Sequence, residues 1–135
     1  MSASEQRLDS QHEGRRLRVL VADDEKNIAE TIRIILSHEG IDAVCVYGGM
    51  AAVEKAAEWN PDVLLVDYAM PDLNGLEAAS RICERHAGCR VLVLSALAEI
   101  YDLRQELLRC EKSYEVLVKP IYPTELVGRI RAISE

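Results

Sequence analysis

The stretch VLLVDYAMPDLNG, residues 63–75, decides how the rest of the chain is read. Its first four residues, Val63 to Val66, are all apolar and run directly into a carboxylate, Asp67. An uninterrupted run of this kind reads as a strand buried on both faces, the habit of parallel sheets covered by helices. Pro71 and Gly75 then mark a tight loop. A buried strand that ends on an acid raises the question of what else stands at that end of the sheet.

Outward from this stretch the same unit recurs. Residues 17–22 (LRVLVA), 41–46, 90–94 (RVLVL) and 115–118 are also short apolar runs of strand character. The segments between them carry helical spacing. Ile28, Ile32, Ile35 and Leu36 mark a helix over 26–38; Ile100, Leu103, Leu107 and Leu108 mark one over 99–110. Residues 50–59 are rich in helix formers, and 76–86 are helical by pattern. The last helix, 123–133, has Pro123 in its first turn and Leu126, Val127, Ile130 and Ile133 as its apolar residues. Gly40, Gly48-Gly49 and Asn60-Pro61 punctuate the pattern. Strands that alternate with helices predict an α/β fold: a doubly wound five-stranded parallel sheet of order 2-1-3-4-5 with right-handed crossovers. Residues 1–16 read as a polar tail and 17–135 as one domain, with no second domain expected after the last helix.

Bulk properties narrow the function. A chain of 135 residues suits one domain that buries roughly two thirds of its unfolded surface without disulfides or a structural metal. The net charge of −7 argues against a domain that chiefly holds nucleic acid by its phosphates, and direct nucleic-acid binding is not expected. Apolar runs fall well short of the ~20 residues that span a bilayer, so no membrane role is expected. The N-terminus has no apolar leader core, which makes a cytoplasmic location the default. Cys45, Cys83, Cys89 and Cys110 form no C-x-x-C pair and read as reduced, mostly buried thiols. His12, His38 and His86 lie in the tail or on helices and read as surface residues.

In a parallel sheet every strand ends on the same edge, where ligands gather. Strand one is followed by Asp23-Asp24, strand three by Asp67, strand four by Ser95 and strand five by Lys119. Three carboxylates, a hydroxyl and an ammonium should therefore converge. Clustered carboxylates repel one another unless a cation sits between them. Mg²⁺ is suited to this, because it accepts two carboxylates and a backbone carbonyl and keeps its remaining waters. A carboxylate beside a metal and a lysine can attack phosphorus to give an acyl phosphate, and neutralisation of charge is what phosphoryl transfer chiefly needs from a protein. Each piece alone has a plainer reading: Asp23-Asp24 or Ser95 as helix caps, Asp67 as a turn residue, Lys119 as an exposed charge.

Taken together, VLVADDEKN (19–27), VLLVDYAMPDLNG (63–75), VLVLSA (91–96) and VLVKPIYPTEL (116–126) resemble the receiver domain of two-component response regulators, of CheY-like, flavodoxin-like fold. The resemblance implies that Asp67 is phosphorylated, and that Asp24, Asp67 and the backbone carbonyl of Ala69 ligate Mg²⁺, with Asp23 acting largely through water. It implies that Ser95 and Lys119 bind the phosphoryl group and that Lys119-Pro120 is a cis peptide. It also implies a phosphohistidine donor, either a sensor histidine kinase or a histidine phosphotransfer protein. Output would run through the face of helix four, strand five and helix five, with a homodimer as one state of the phosphorylated chain. Catalysis would be confined to the chain's own phosphorylation and dephosphorylation.

The sequence departs from the family pattern in three places. Val116 stands where many receivers carry a switching aromatic, and Tyr114 is the nearest aromatic. RCEKSYE (109–115) lacks the usual Gly-Ala turn, so helix four should end differently. Ala69 and Leu97 flank the expected phosphoryl site with apolar side chains, and Leu97 is expected to shield it. Two other functions compete: a pseudo-receiver that only binds proteins, and a Mg²⁺-dependent aspartyl phosphatase. The second lacks an acid two residues after the nucleophile, where Ala69 stands.

Overall fold

A computed structural model describes residues 15–135. The polar tail expected over 1–16, with His12, therefore lies outside the described residues except for Arg15 and Arg16. The elements follow in strict alternation: β1 (Arg18–Ala22), α1 (Lys26–His38), β2 (Asp42–Val46), α2 (Gly49–Trp59), β3 (Val63–Asp67), α3 (Gly75–Arg85), β4 (Arg90–Ser95), α4 (Ile100–Cys110), β5 (Glu115–Val118) and α5 (Pro123–Ser134). The strands form one sheet of order β2-β1-β3-β4-β5, and every pairing is parallel.

The alternation of side chains along each strand sorts the core into two layers. Val19 and Val21 of β1, Val63 and Leu65 of β3, Leu92 and Leu94 of β4 and Leu117 of β5 face α1 and α5, where they meet Ala29, Leu36, Leu126 and Ile130. Leu20, Leu64, Val66, Val91 and Val93 face the other way, onto Ala52 and Ala56 of α2, Leu76 and Ile82 of α3 and Leu103 of α4. Small alanines on α2 allow that helix to lie close to the sheet. With no phenylalanine in the chain, aliphatic side chains fill both layers.

Element ends differ from the sequence expectation where side chains do not report them. β3 and β4 each run one residue further, so Asp67 and Ser95 are themselves strand residues. A 3₁₀ turn, Leu97–Glu99, precedes α4. Glu111 ends α4 in the left-handed conformation (φ 56°, ψ 38°), with the Lys112 amide donating to the Leu107 carbonyl at 3.1 Å. This is the place a helix usually gives to glycine, and it accounts for the altered helix end expected from RCEKSYE.

The loop after β3 is fastened at both ends. Asp72 caps α2 from a distance, accepting the Gly49 amide at 3.1 Å and the Met50 amide at 3.0 Å. These bonds hold the Asp72 carboxyl below its ordinary pKa. Gly75 opens α3 against the end of β3: a Cβ there would fall 2.5 Å from the Asp67 carbonyl oxygen.

Candidate functional site

The C-terminal edge of the sheet collects the expected groups. Asp23 and Asp67 continue the strand rows that face α1 and α5, and Lys119 continues the row of Leu117. Side-chain parity therefore delivers all three to the same side of the edge. The result is a cluster in which ligand oxygens of Asp23, Asp24 and Asp67 lie within 4.8 Å of one another. The Lys119 ammonium stands 2.9 Å from Asp67 Oδ1 and 3.6 Å from Asp23 Oδ2. The Lys119-Pro120 peptide is cis, as expected.

The acids are not equivalent. Asp23 and Asp67 are buried, 1% and 5% exposed, whereas Asp24 faces solvent. Asp23 commits one oxygen to the fold, since its Oδ1 accepts the Glu25 amide at 2.9 Å. Glu25, and neither aspartate, is the N-cap of α1, and its side chain makes no capping bond. Asp23 Oδ2 and Asp67 Oδ1 are enclosed without a hydrogen-bond partner, and Lys119 meets them as an ion pair rather than in hydrogen-bond alignment. Burial pushes the Asp67 carboxyl up to about 6; the neighbouring Asp23 charge adds to the rise and Lys119 opposes it. Burial by itself would lower the Lys119 pKa, but the two carboxylates outweigh it and raise it. Enclosed carboxylate oxygens short of donors, with a third acid open to solvent, form a hard-oxygen set that fits a divalent cation such as Mg²⁺.

Ser95 stands at the same edge with its polar groups engaged by the backbone. Its backbone carbonyl accepts the Lys119 amide at 2.8 Å, while its hydroxyl donates to the Ala96 carbonyl at 2.9 Å. Ser95 falls on the row of Val91 and Val93, opposite to that of Leu94. Ala69 is exposed two residues past Asp67. Leu97, expected to shield the site, is 73% exposed and covers little of it.

Several residues important to this edge gave no sequence signal. The Tyr68 hydroxyl donates to Glu106 Oε1 at 2.9 Å, and Asn74 Nδ2 reaches the same carboxylate at 3.3 Å while its Oδ1 caps α3. Tyr68 follows Asp67 directly, so a phenol ties the loop after β3 to α4. Val116 and Tyr114 instead pack into the layer of α2, α3 and α4, where the Tyr114 hydroxyl is enclosed without a hydrogen-bond partner. Such pairings join residues 30 or more positions apart, as Tyr68 and Glu106 are by 38, and no local pattern records them. Two other expectations change. His86 is half-buried, with Nε2 enclosed, rather than on the surface. Of the free thiols, Cys110 is exposed, Cys89 is buried and the other two are half-buried.

Comparison with known proteins gives the family and supports the fold. The response regulator receiver domain family matches residues 19–131. The DNA-binding response regulator MtrA of Mycobacterium tuberculosis (strain ATCC 25618 / H37Rv) is 33% identical over 117 residues, which cover 87% of this chain and 50% of that protein. The response regulator ArlR of Staphylococcus saprophyticus is 33% identical over 116 residues, 86% of this chain and 51% of that one. Among solved structures, the receiver domain of the Francisella response regulator 1452 superposes with a TM-score of 0.75 at 30% identity, covering 88% of this chain and 97% of that one. A CheY-like receiver domain protein from Methanospirillum hungatei JF-1 gives a TM-score of 0.79 at 20% identity, covering 88% and 94%, and speaks for the fold alone.

The chain belongs to the response regulator receiver family. It spans about half the length of the curated relatives it matches. The exclusion of nucleic acid from its partners is corrected here, because relatives at 33% identity are DNA-binding response regulators. A net charge describes how a domain meets phosphates itself; it carries no information on what a switch of this family controls. Among the described residues no helix is long and apolar enough to cross a membrane.

Proposed function

We propose that this chain is a phosphorylation-driven switch with Asp67 as the phosphoacceptor. One observation carries the reading: a buried Asp67 lies 2.9 Å from the Lys119 ammonium, inside a cluster of three carboxylates. Asp24, Asp67 and the Ala69 carbonyl would hold Mg²⁺, with Asp23 acting through water. Bound there, the ion supplies positive charge that offsets the acids and the incoming phosphoryl oxygens. Lys119 steadies the ionised Asp67 and provides a cation for phosphoryl oxygens; Ser95 offers a hydroxyl once it turns from Ala96. Catalysis extends only to the chain's own phosphorylation and dephosphorylation.

The donor is a phosphohistidine on a sensor kinase or phosphotransfer protein. A groove of about 470 Å³ supports a protein donor, since it opens beside Lys119 between Ile28, Thr31, Ile35, Pro120 and Ile121 and its walls are largely apolar. Output runs through the face of α4, β5 and α5, where Tyr101, Leu108, Val118 and Tyr122 are exposed. The names of the MtrA relatives support DNA binding as the output class under control. A cytoplasmic setting and pairing of phosphorylated copies complete the reading.

The test is incubation with Mg²⁺ and acetyl phosphate followed by intact-mass analysis. A mass gain of one phosphoryl group, lost in Asp67→Asn, is expected. A parent chain that gains no mass, or an Asp67→Asn variant that gains as much, refutes the assignment.

A further inference from the structure

Three of the four thiols gather around one phenol, Tyr114, at the end of the sheet away from the acids. Tyr114 packs in the same layer as Cys83 and Cys89. It shares a cavity of about 370 Å³ with Cys110 and a cleft of about 380 Å³ with Cys89. Cys89 stands just before β4, so the group lies at the opposite end of that strand from Ser95. All of these cysteines are free.

The turn between α3 and β4 folds Cys89 back onto Cys83. The His86 amide donates to the Ile82 carbonyl at 2.9 Å, and the Cys89 amide donates to the His86 carbonyl at 2.9 Å. The Cys83 thiol, in the last turn of α3, then donates to the Cys89 carbonyl at 3.8 Å. The Cys89 thiol is turned to the Arg90 carbonyl at 3.7 Å. The Cys83 sulfur thus already touches the residue whose sulfur it would join. Closure asks for side-chain rotation and some give in the loop 84–88, where Gly88 stands in open space.

We propose that Cys83 and Cys89 form a redox pair that a peroxide closes into a disulfide, pinning the last turn of α3 to the start of β4. Cys83 is half-buried, the more open of the two, and a peroxide is hardly larger than water. The Cys83 sulfur attacks one peroxide oxygen; the O–O bond breaks, and the departing oxygen takes up the thiol proton and leaves as water. The Cys89 sulfur then attacks the Cys83 sulfenic acid, and its hydroxyl leaves with the second thiol proton as another water. The thiols give up two electrons and the peroxide accepts them. Burial pushes the Cys89 thiol up to about 12 and raises the Cys83 thiol too, although Tyr114 and Lys112 work against it at Cys83. Thiolate is therefore scarce and each sulfur is a poor leaving group, so the bridge closes slowly and is reduced slowly. It registers sustained oxidation and ignores a brief pulse. The tied elements frame Asp67 at their other ends, where α3 starts against it and β4 pairs with it.

The experiment treats the reduced chain with hydrogen peroxide over hours, then reads intact mass, alkylatable thiols and a non-reducing peptide map. It compares the parent, Cys110→Ser and Cys83→Ser. Cys110→Ser removes the exposed thiol that joins two copies in air and should behave as the parent does. Both are expected to lose two hydrogens, to show a peptide linking Cys83 to Cys89, and to gain about 5 °C in thermal midpoint, as closing a short loop does. Cys83→Ser should show none of these, and the parent's peptide map decides the matter alone if that variant fails to fold. A map that joins other cysteines, or a parent that keeps every thiol alkylatable under peroxide that has oxidised its methionines, overturns the pair. A bridged chain with an unmoved midpoint overturns the pinning of α3 to β4.

Discussion

Lys119 reaches Asp67 at 2.9 Å although Lys119 follows β5 and Asp67 closes β3, with β4 lying between them. The pair leaves Asp67 short of charge compensation, because its carboxyl still titrates at about 6. A carboxylate whose folded pKa lies above the ordinary 3.8 favours the folded state when protonated. That contribution is complete below 3.8 and is lost as pH rises through about 6. Asp67→Asn should therefore be more stable than the parent in chelator at pH 7.5, by at most about 3 kcal/mol on the scale of 1.36 per pKa unit and by less once solvent screening is counted. The advantage should fade on acidification. Adding excess Mg²⁺ should raise the thermal midpoint of the parent and leave Asp67→Asn nearly unmoved. Calorimetry in chelator and in Mg²⁺ checks both, and a parent indifferent to Mg²⁺ would remove the case for a metal centre.

Asp72 gives the opposite pH signature. Its carboxylate caps α2, and the Gly49 and Met50 amides hold its pKa below 3.8. The stability it contributes is present above 3.8 and is lost as pH falls through the lower folded value. Asp72→Ala should destabilise the domain by about 1 kcal/mol at neutral pH, as loss of a cap does. The gap to the parent should narrow in strong acid. Urea titrations at pH 7 and at pH 2.5 would show it, and a gap that widens in acid would contradict the capping role.

Tyr68 and Glu106 connect the loop after β3 to α4 through a single phenol bond. Tyr68→Phe keeps the ring and removes the donor, at about 1 kcal/mol. Amide exchange in α4 should speed up in the variant, while the rate of phosphorylation by acetyl phosphate should stay within roughly twofold, the span of ~0.4 kcal/mol. Unchanged exchange in α4 would mean that the bond does not restrain the helix.

Glu111 ends α4 at φ 56°, where a side chain brings steric strain. Glu111→Gly should stabilise the protein by about 1 kcal/mol and raise the thermal midpoint by a few degrees. A lower midpoint would show that the Glu111 side chain makes contacts that outweigh its backbone strain.

What could be read from residues alone follows from how local each cause is. Burial of Val63 to Val66 on both faces left a run that only a covered parallel strand explains, and from it the sheet, the edge and the acid–lysine cluster followed. Asp23, Asp67 and Lys119 meet because strand parity is a local rule applied three times. That the Ser95 hydroxyl donates to the Ala96 carbonyl was not legible in the strand pattern. The Tyr68–Glu106 bond and the Asp72 cap depend on how loops pack after the sheet has formed, and spacing carries no trace of them. The DNA-binding character named for its relatives was invisible for a different reason: net charge describes this domain's own surface and carries no trace of what related proteins bind.

Gly75 sets a limit on how this centre can vary. Its Cα hydrogen occupies the only room left beside the Asp67 carbonyl, which a methyl group would approach to 2.5 Å. Any side chain at position 75 must push either the start of α3 or the end of β3, and Asp67 with it, out of place. The carboxylate cluster could thus be displaced by mutation at a residue that bears no charge and lends it no oxygen.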